Sequence, residues 1–437
     1  MHAQLVTTEP ADPTVVDVVV VGAGLAGLTA ATHAARSGAR VTVLESSAGP
    51  GGRARTERRD GVSLNLGPHA LYEGGSGMSV LRELAIDPPG WRPNATGPAV
   101  WRGSEGRLPF DARSVASTKL LSVRSRVAFA RFHTQLERFD ARALDSTTVA
   151  EFLDEQIGTE RADVRAVIEG IIRLSLYANA PELLSAGAAI DQLVSAGSGV
   201  RYLHGGWRSL VDSLASSARL ARAEVRTATQ VAAIEPQPDG WTVVEASGRC
   251  WSASAVIVAG LSPEAVERLV GREPGTLRAA AGPPARAACL DLVLASPPNV
   301  TFALDLDHHG YYSLHAPVAD PSSADPALVS LARYRRPDEI ADADRDRATL
   351  RAFARRMGVE TTLAERYLHD MVVTHGIPLA TRGGLAGRPR VDALDAPGLL
   401  LAGDWVGPTG LLADAALSSG RAAGQLAADI ARARRAA

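Results

Sequence analysis

The chain has 437 residues, 46% of them hydrophobic, enough to bury two or three domain-sized cores. Lys plus Arg (46) nearly balances Asp plus Glu (48) and the two signs are interspersed, so no electrostatic footprint favours nucleic acid or an anionic membrane surface. Cys250 and Cys289 stand far apart, the ten histidines contain no H-x-x-x-H, and the adjacent His308 and His309 would face opposite sides of a strand. Neither a disulfide framework nor a metal is expected, and a reducing cytoplasm is the simplest location.

Met1 to Thr14, with Pro10 and Pro13, reads as a loose tail. The apolar run from Val15 to Thr32 carries only Asp17 as a charge, but Gly22, Gly24 and Gly27 interrupt it and no basic segment precedes it, which argues against a secretory signal. Val15 to Val21 is β-branched almost throughout, as a parallel strand buried on both faces should be. Val21-Gly22-Ala23-Gly24-Leu25-Ala26-Gly27 then turns the chain into an Ala-rich helix that stops at Gly38, and Arg40 to Glu45 forms a second strand. In such a unit the first glycine permits the tight turn, the second admits a pyrophosphate to the backbone, and the third lets helix and strand pack closely. The helix N-terminus supplies the positive field, and Glu45, followed by Ser46, sits at the offset where an acid binds a ribose hydroxyl. This fingerprint does not by itself separate NAD from FAD.

Beyond Gly51-Gly52-Arg53, Gly61 to Leu66 alternates like a strand and leads into Gly67-Pro68-His69. From Ser114 to Ser195 the periodicity is mostly helical with Arg-dotted faces, a helical insertion carrying part of a substrate cavity. Gly205-Gly206-Trp207 opens a helix over Leu210 to Leu220. Strand patterns follow at Glu224 to Thr227, Val231 to Glu235, Trp241 to Glu245 and Ala255 to Ala259, returning to the nucleotide-binding sheet. Short strands recur from Arg286 to Tyr334, including Phe302 to Leu306 and Tyr311 to His315, and a charged helix is predicted over Pro337 to Met357. The apolar strand Gly398 to Leu401, the loop with Gly403 and Asp404, and an Ala-rich helix from Ala413 close the chain.

With Gly51-Gly52-Arg53 after Glu45, Asn65-Leu66-Gly67-Pro68, Gly205-Gly206 before a helix, Val231, and Ala402-Gly403-Asp404 with Ala415 to Ala423, the sequence resembles the FAD-dependent superfamily of phytoene-desaturase-like dehydrogenases, protoporphyrinogen oxidases and monoamine oxidases. The resemblance spans the chain. It implies an α/β fold: a Rossmann-type FAD-binding domain from residues 1–85, 205–285 and 380–437, and a discontinuous α+β substrate domain from 86–204 and 286–379. It also implies that Gly51, Gly52 and Arg53 lie along FAD, that Val231 offers its backbone to adenine, and that Gly403-Asp404 meets the pyrophosphate-ribitol section. The helix from Leu412 and Ala413 would aim free N–H groups at the flavin pyrimidine.

Two features of the amine oxidases are missing. Leu411-Leu412-Ala413 cannot supply an aromatic cage, and Lys119, in the helical block, is the only lysine. No cysteine lies in the C-terminal motif, so FAD is expected to be non-covalent. His69 is the first candidate for a catalytic polar group, with Tyr72, Tyr311, Tyr312 and His315 behind it. The expected function is a dehydrogenase or desaturase that moves a hydride from a C–H of a lipophilic small molecule to flavin N5. An amine or amino-acid oxidase, or a redox-neutral isomerase or cyclase, is the alternative. With one glycine fingerprint, a second site for NAD(P)H is not expected, which leaves oxygen, a quinone or a carrier protein as acceptor. Oligomeric state stays open, and the Arg-rich block offers no amphipathic anchor for membrane contact.

Overall fold

A computed structural model describes residues 13–59, 61–93, 96–316 and 326–436. The expected N-terminal tail lies largely outside them, and its last residue already belongs to a strand. Strand β1 (Thr14–Val21), helix α1 (Leu25–Arg36) and strand β2 (Val41–Leu44) form the predicted β-α-β unit, with β1 and β2 parallel. β1 is also parallel to Cys250–Ala259, and the short strand Glu224–Arg226 adds beyond β2. The far edge of the ten-residue strand Cys250–Ala259 is shared. Its first half pairs antiparallel with Gly240–Glu245, which pairs in turn with Val231–Gln237, and its second half pairs parallel with Leu399–Ala402.

Three helices cover one face of this sheet: α1, Arg208–Leu220 and Leu412–Ala436. The alanines and glycines of the last helix serve close packing. A Cβ added at Gly420 would stand 2.4 Å from the Ala26 carbonyl oxygen, and one at Gly424 would stand 2.3 Å from that of Ala30. Small residues therefore let the two backbones touch, which brings the C-terminal segment against the glycine turn after β1. Trp241, Trp251 and Trp405 fill the opposite face.

A second sheet has seven strands in the order Ala364–Thr374, Ala285–Leu294, Ala327–Tyr334, Gly310–Ala316, Phe302–Asp305, Pro98–Trp101 and Ser104–Arg107. Neighbours are antiparallel except Phe302–Asp305 with Pro98–Trp101. Along Ala285–Leu294, Ala288, Leu290 and Leu292 pack under the helix Ala343–Arg356, while Ala287 and Cys289 face the helical block. Burial on both faces explains why this strand reads as a continuous apolar run. The helical block itself comprises Ala112–Ser117, Val123–Gln135, Val149–Ile157, Ala162–Leu176 and Ala186–Gly197. Among the described residues no helix is long and apolar enough to cross a membrane.

The charged helix begins at Ala343 rather than Pro337, where Asp342 accepts the Arg345 N–H as its N-cap. His308 and His309 are not in a strand. They occupy the turn after Phe302–Asp305, held by Asp305, whose carboxylate accepts the His308 N–H and contacts its ring Nδ1, both at 3.0 Å. Ala364–Thr374 was not expected as a strand.

Candidate functional site

Between the two sheets lies a cavity of about 860 Å³. Its first wall is the glycine turn. Gly22 has φ +102° and a Cβ there would meet the Ala259 carbonyl oxygen at 2.5 Å, so only glycine lets β1 turn beside its neighbour. Gly24 is the N-cap of α1 without any side-chain capping bond, and the first turn of α1 holds no acid. The first turn of α1 thus presents its positive end, with the Ala26 N–H, on the cavity wall. Gly51 pairs with this turn, its N–H reaching the Ala23 carbonyl at 2.8 Å. Glu45 ties the same turn from the other side. Its carboxylate accepts the N–H of Ala23 and of Ser47, each at 2.8 Å.

The two ends of the chain meet in a bidentate ion pair. Arg53 donates through Nη1 and Nη2 to Asp404 at 2.8 and 2.7 Å, and Nη1 also reaches the Val373 carbonyl at 3.1 Å. Asp404 accepts the His375 N–H at 3.0 Å as well. Burial disfavours ionisation of Asp404, but the charge and hydrogen bonds of Arg53 outweigh it and hold the carboxyl below its ordinary range. Arg388, buried, donates to the carbonyls of Asp404 and Gly410 at 3.2 and 2.8 Å and so fixes the loop between strand and last helix. Asp414, in the first turn of that helix, accepts the Gly77 N–H at 2.9 Å and caps the helix Ser76–Glu83. Burial pushes the Asp414 carboxyl up to about 6, the Gly77 N–H pulling the other way.

The remaining walls come from the second sheet and the helical block: Tyr72, Tyr177, Cys289, Tyr334, Met371 and Val373, with His69 and Trp207 on the near side. His69 Nδ1 lies 2.9 Å from the Gly67 carbonyl. A carbonyl only accepts, so Nδ1 carries the proton. The His69 ring meets Trp207 edge-on at 4.9 Å. Burial lowers the His69 pKa, the Gly67 carbonyl opposing weakly, and the imidazole is neutral at pH 7. Burial also pushes the Cys289 thiol and the Tyr72 phenol far up, so neither ionises there.

Of the residues singled out in the sequence, Gly22, Gly24, Leu25, Ala26, Glu45, Ser46, Gly51, Gly52, Arg53, Gly67, Pro68, His69, Val231, Gly403, Asp404, Leu412 and Ala413 all line this one cavity. Ala23 and Gly27 stand behind the wall. A Cβ at Gly27 would come 1.9 Å from the Gly22 carbonyl oxygen, so this glycine serves helix-strand contact. Tyr72 lines the cavity, whereas Tyr311, Tyr312 and His315 do not. Tyr312 packs on Phe353, on the far face of the second sheet. Tyr311 and His315 form a buried cluster with Tyr202 and Ser313, in which Tyr202 Oη lies 2.6 Å from Tyr311 Oη and its ring stacks on His315 at 4.1 Å. Lys119 is exposed and away from the cavity. Sequence reasoning missed Tyr177, Trp207, Tyr334 and Met371 as wall residues, and of these only Trp207 adjoins a motif, Gly205-Gly206.

A glycine-lined parallel sheet joined to an antiparallel one across such a cavity is the architecture of a flavin oxidoreductase, and the comparisons with known proteins agree. The chain belongs to the flavin containing amine oxidoreductase family, which it matches over residues 25–427. It is 29% identical over 292 residues to the phytoene dehydrogenase of Streptomyces griseus, covering 59% of this chain and 56% of that protein. It is 29% identical over 317 residues to the coproporphyrinogen III oxidase of Mycobacterium leprae, covering 65% and 68%. Several L-amino-acid oxidases match over a short stretch, that of Daboia russelii being 55% identical over 58 residues, 13% of this chain and 12% of that protein. The chain thus aligns with little more than half of the phytoene dehydrogenase and with a small part of the L-amino-acid oxidase. Among solved structures, an oxidoreductase from Methanosarcina mazei superposes with a TM-score of 0.71 at 17% identity, over 92% of this chain and 98% of that one. Cyclohexylamine oxidase from Brevibacterium oxydans superposes with 0.68 at 20%, over 96% and 99%. These likenesses establish the fold.

Proposed function

We propose that the protein is an FAD-dependent dehydrogenase or desaturase that binds FAD without a covalent link and takes a hydride from a C–H bond of a lipophilic small molecule. The observation that carries this reading is the convergence of two helix N-termini, those of α1 and of Leu412–Ala436, on one glycine-lined cavity. Asp414 N–H bonds back to the Leu411 carbonyl at 2.9 Å, which leaves the N–H groups of Leu412 and Ala413 to the cavity. The first helix end fits a diphosphate and the second fits an electron-rich ring edge, whose reduced form gains from the dipole. In this reading the flavin-binding half, of Rossmann type, comprises residues 1–85, 205–285 and 380–437, and the substrate half residues 86–204 and 286–379. FAD, when bound, supplies the hydride acceptor.

The chain's own residues bind, orient and exclude water. Glu45, held by two backbone N–H groups, lines the wall and would accept a ribose hydroxyl of the cofactor. Val231, Gln230 and Thr229 line the part where the β-meander approaches, a place for adenine. Arg53 spends its fork on Asp404, so it acts as a strut across the two chain ends. The substrate part is walled by tyrosines, Trp207, Met371 and Cys289, an apolar enclosure that positions a C–H and keeps water out. The dehydrogenase reading is favoured over amine oxidation because no lysine and no aromatic side chain at Leu411–Ala413 enter the cavity. Location in the cytoplasm and action on free small molecules belong to the same proposal.

Purified protein should be yellow, and acid precipitation should leave a white pellet with FAD in the supernatant. Anaerobic mixing with polyenes and other lipophilic candidates should bleach the flavin. Colourless protein that takes up no FAD overturns the cofactor, bleaching by primary amines alone replaces the dehydrogenase by an amine oxidase, and a product of unchanged mass replaces it by an isomerase or cyclase.

A further inference from the structure

Three tyrosines line the substrate part of the cavity, and they differ in what their hydroxyls do. Tyr72 donates to the Ser175 carbonyl at 2.9 Å and is spent. The Tyr334 hydroxyl is sealed, out of reach of solvent and without a partner. Tyr177 is 6% exposed and lines the cavity; its hydroxyl has no protein partner among the described residues and is not among the sealed ones. Its small remaining exposure is therefore toward the cavity.

The backbone of Tyr177 gives a second, independent observation. It is the C-cap of Ala162–Leu176 with φ 56° and ψ 26°, the left-handed region. Glycine or asparagine takes that conformation cheaply, and a bulky aromatic residue does not. Strain of this kind persists where surrounding structure holds it, and it gathers at ligand-binding positions. The Tyr334 ring meets that of Tyr177 edge-on at 5.8 Å and 87°. Among the described residues, the titratable groups acting most strongly on its hydroxyl are Tyr72, Tyr334, Tyr202 and Cys289, all uncharged.

We propose that Tyr177 is a specificity-determining residue whose hydroxyl hydrogen-bonds an oxygen substituent, a hydroxyl or carbonyl, on an otherwise apolar substrate. The inference rests on the reading of this cavity as a substrate site, and it narrows the substrate from any lipophilic C–H donor to an oxygen-bearing one. An unsubstituted hydrocarbon would leave the phenol buried and unpaired, and that penalty is what discriminates.

The test uses flavin-loaded protein titrated calorimetrically with 2-naphthol and with naphthalene, which share a skeleton and differ in one hydroxyl. Wild type should bind 2-naphthol about tenfold more tightly, the worth of one net hydrogen bond. Tyr177→Phe, which keeps the ring and its edge contact with Tyr334, should bring the ratio close to one while the melting temperature and the flavin content hold. A ratio that Tyr177→Phe leaves unchanged overturns the proposal, as does the absence of binding by either probe. The flavin absorbance of the same samples reports separately on the cofactor. A colourless protein with an intact binding ratio sinks the flavin reading alone, and a yellow protein with an unaltered ratio sinks only the role of Tyr177.

Discussion

The two halves of the cavity are built on opposite principles. On the side of the glycine turn the walls are mostly backbone: the turn itself, two helix ends, and a carboxylate, Glu45, oriented by main-chain N–H groups. On the substrate side the walls are side chains, contributed by segments as distant as Tyr72, Tyr177, Cys289, Tyr334 and Met371. A ligand held by backbone is recognised in the same way whatever reaction follows. The side-chain wall is where relatives of one fold diverge. The difference teaches that, in the proposed reading, cofactor and substrate answer to separable parts of the sequence, and each can be attacked alone.

The hardest blow to the backbone side is Gly27→Ala. The new Cβ would lie 1.9 Å from the Gly22 carbonyl oxygen, backbone against backbone, so α1 has to move off the sheet. We expect a loss of about 3 kcal/mol or more in a urea titration, together with loss of yellow colour. A variant as stable and as yellow as wild type would show that the turn is not the rigid element described.

Next comes the strut between the chain ends. Asp404→Asn keeps the shape and leaves Arg53 without its countercharge. The cost should be about 2 kcal/mol, below the 3–5 kcal/mol of a sealed pair because Arg53 keeps 31% of its side chain exposed. The sign of the pH dependence follows from the direction of the shift. A carboxyl held below its unfolded value contributes stability in full above an ordinary aspartate pKa of about 4, and loses it as pH falls through the folded value. Wild type should therefore show an acid limb below about pH 4 that Asp404→Asn flattens, read from melting temperatures across that range.

How much of this was legible follows the same division. Gly22 to Gly27, Glu45 and the approach of the last helix could be read because each is a local pattern with a backbone cause. The Arg53–Asp404 pair could not, although both residues were singled out, because 351 residues separate them and each had a reading of its own toward the cofactor. The strand Ala364–Thr374 escaped because Glu365, Arg366, His369 and Asp370 disguise it as a solvated segment. In the fold Arg366 pairs with Asp291 and Asp370 with Arg286, both partners on the neighbouring strand Ala285–Leu294, and Asp370 also meets Arg335. Tyr177 was illegible for a third reason: nothing in a sequence announces a left-handed tyrosine, which exists only because tertiary packing holds it.

The mildest effect is expected at His69, which sits where the two halves meet. Its position after Gly67-Pro68 makes it the natural first choice for a base, yet its Nδ1 proton is committed to the Gly67 carbonyl and Trp207 pins its ring. Burial makes the imidazole a weaker base than a free histidine. His69 is then a wall that orients, in keeping with a reaction in which a hydride, and no prior proton, leaves the substrate. His69→Gln retains a donor and should slow flavin reduction by about tenfold or less, with the shape of the pH profile the same in both proteins. A hundredfold loss, or a wild-type inflection that the glutamine variant abolishes, would return His69 to the role of general base and put proton abstraction on the backbone-built side of the cavity.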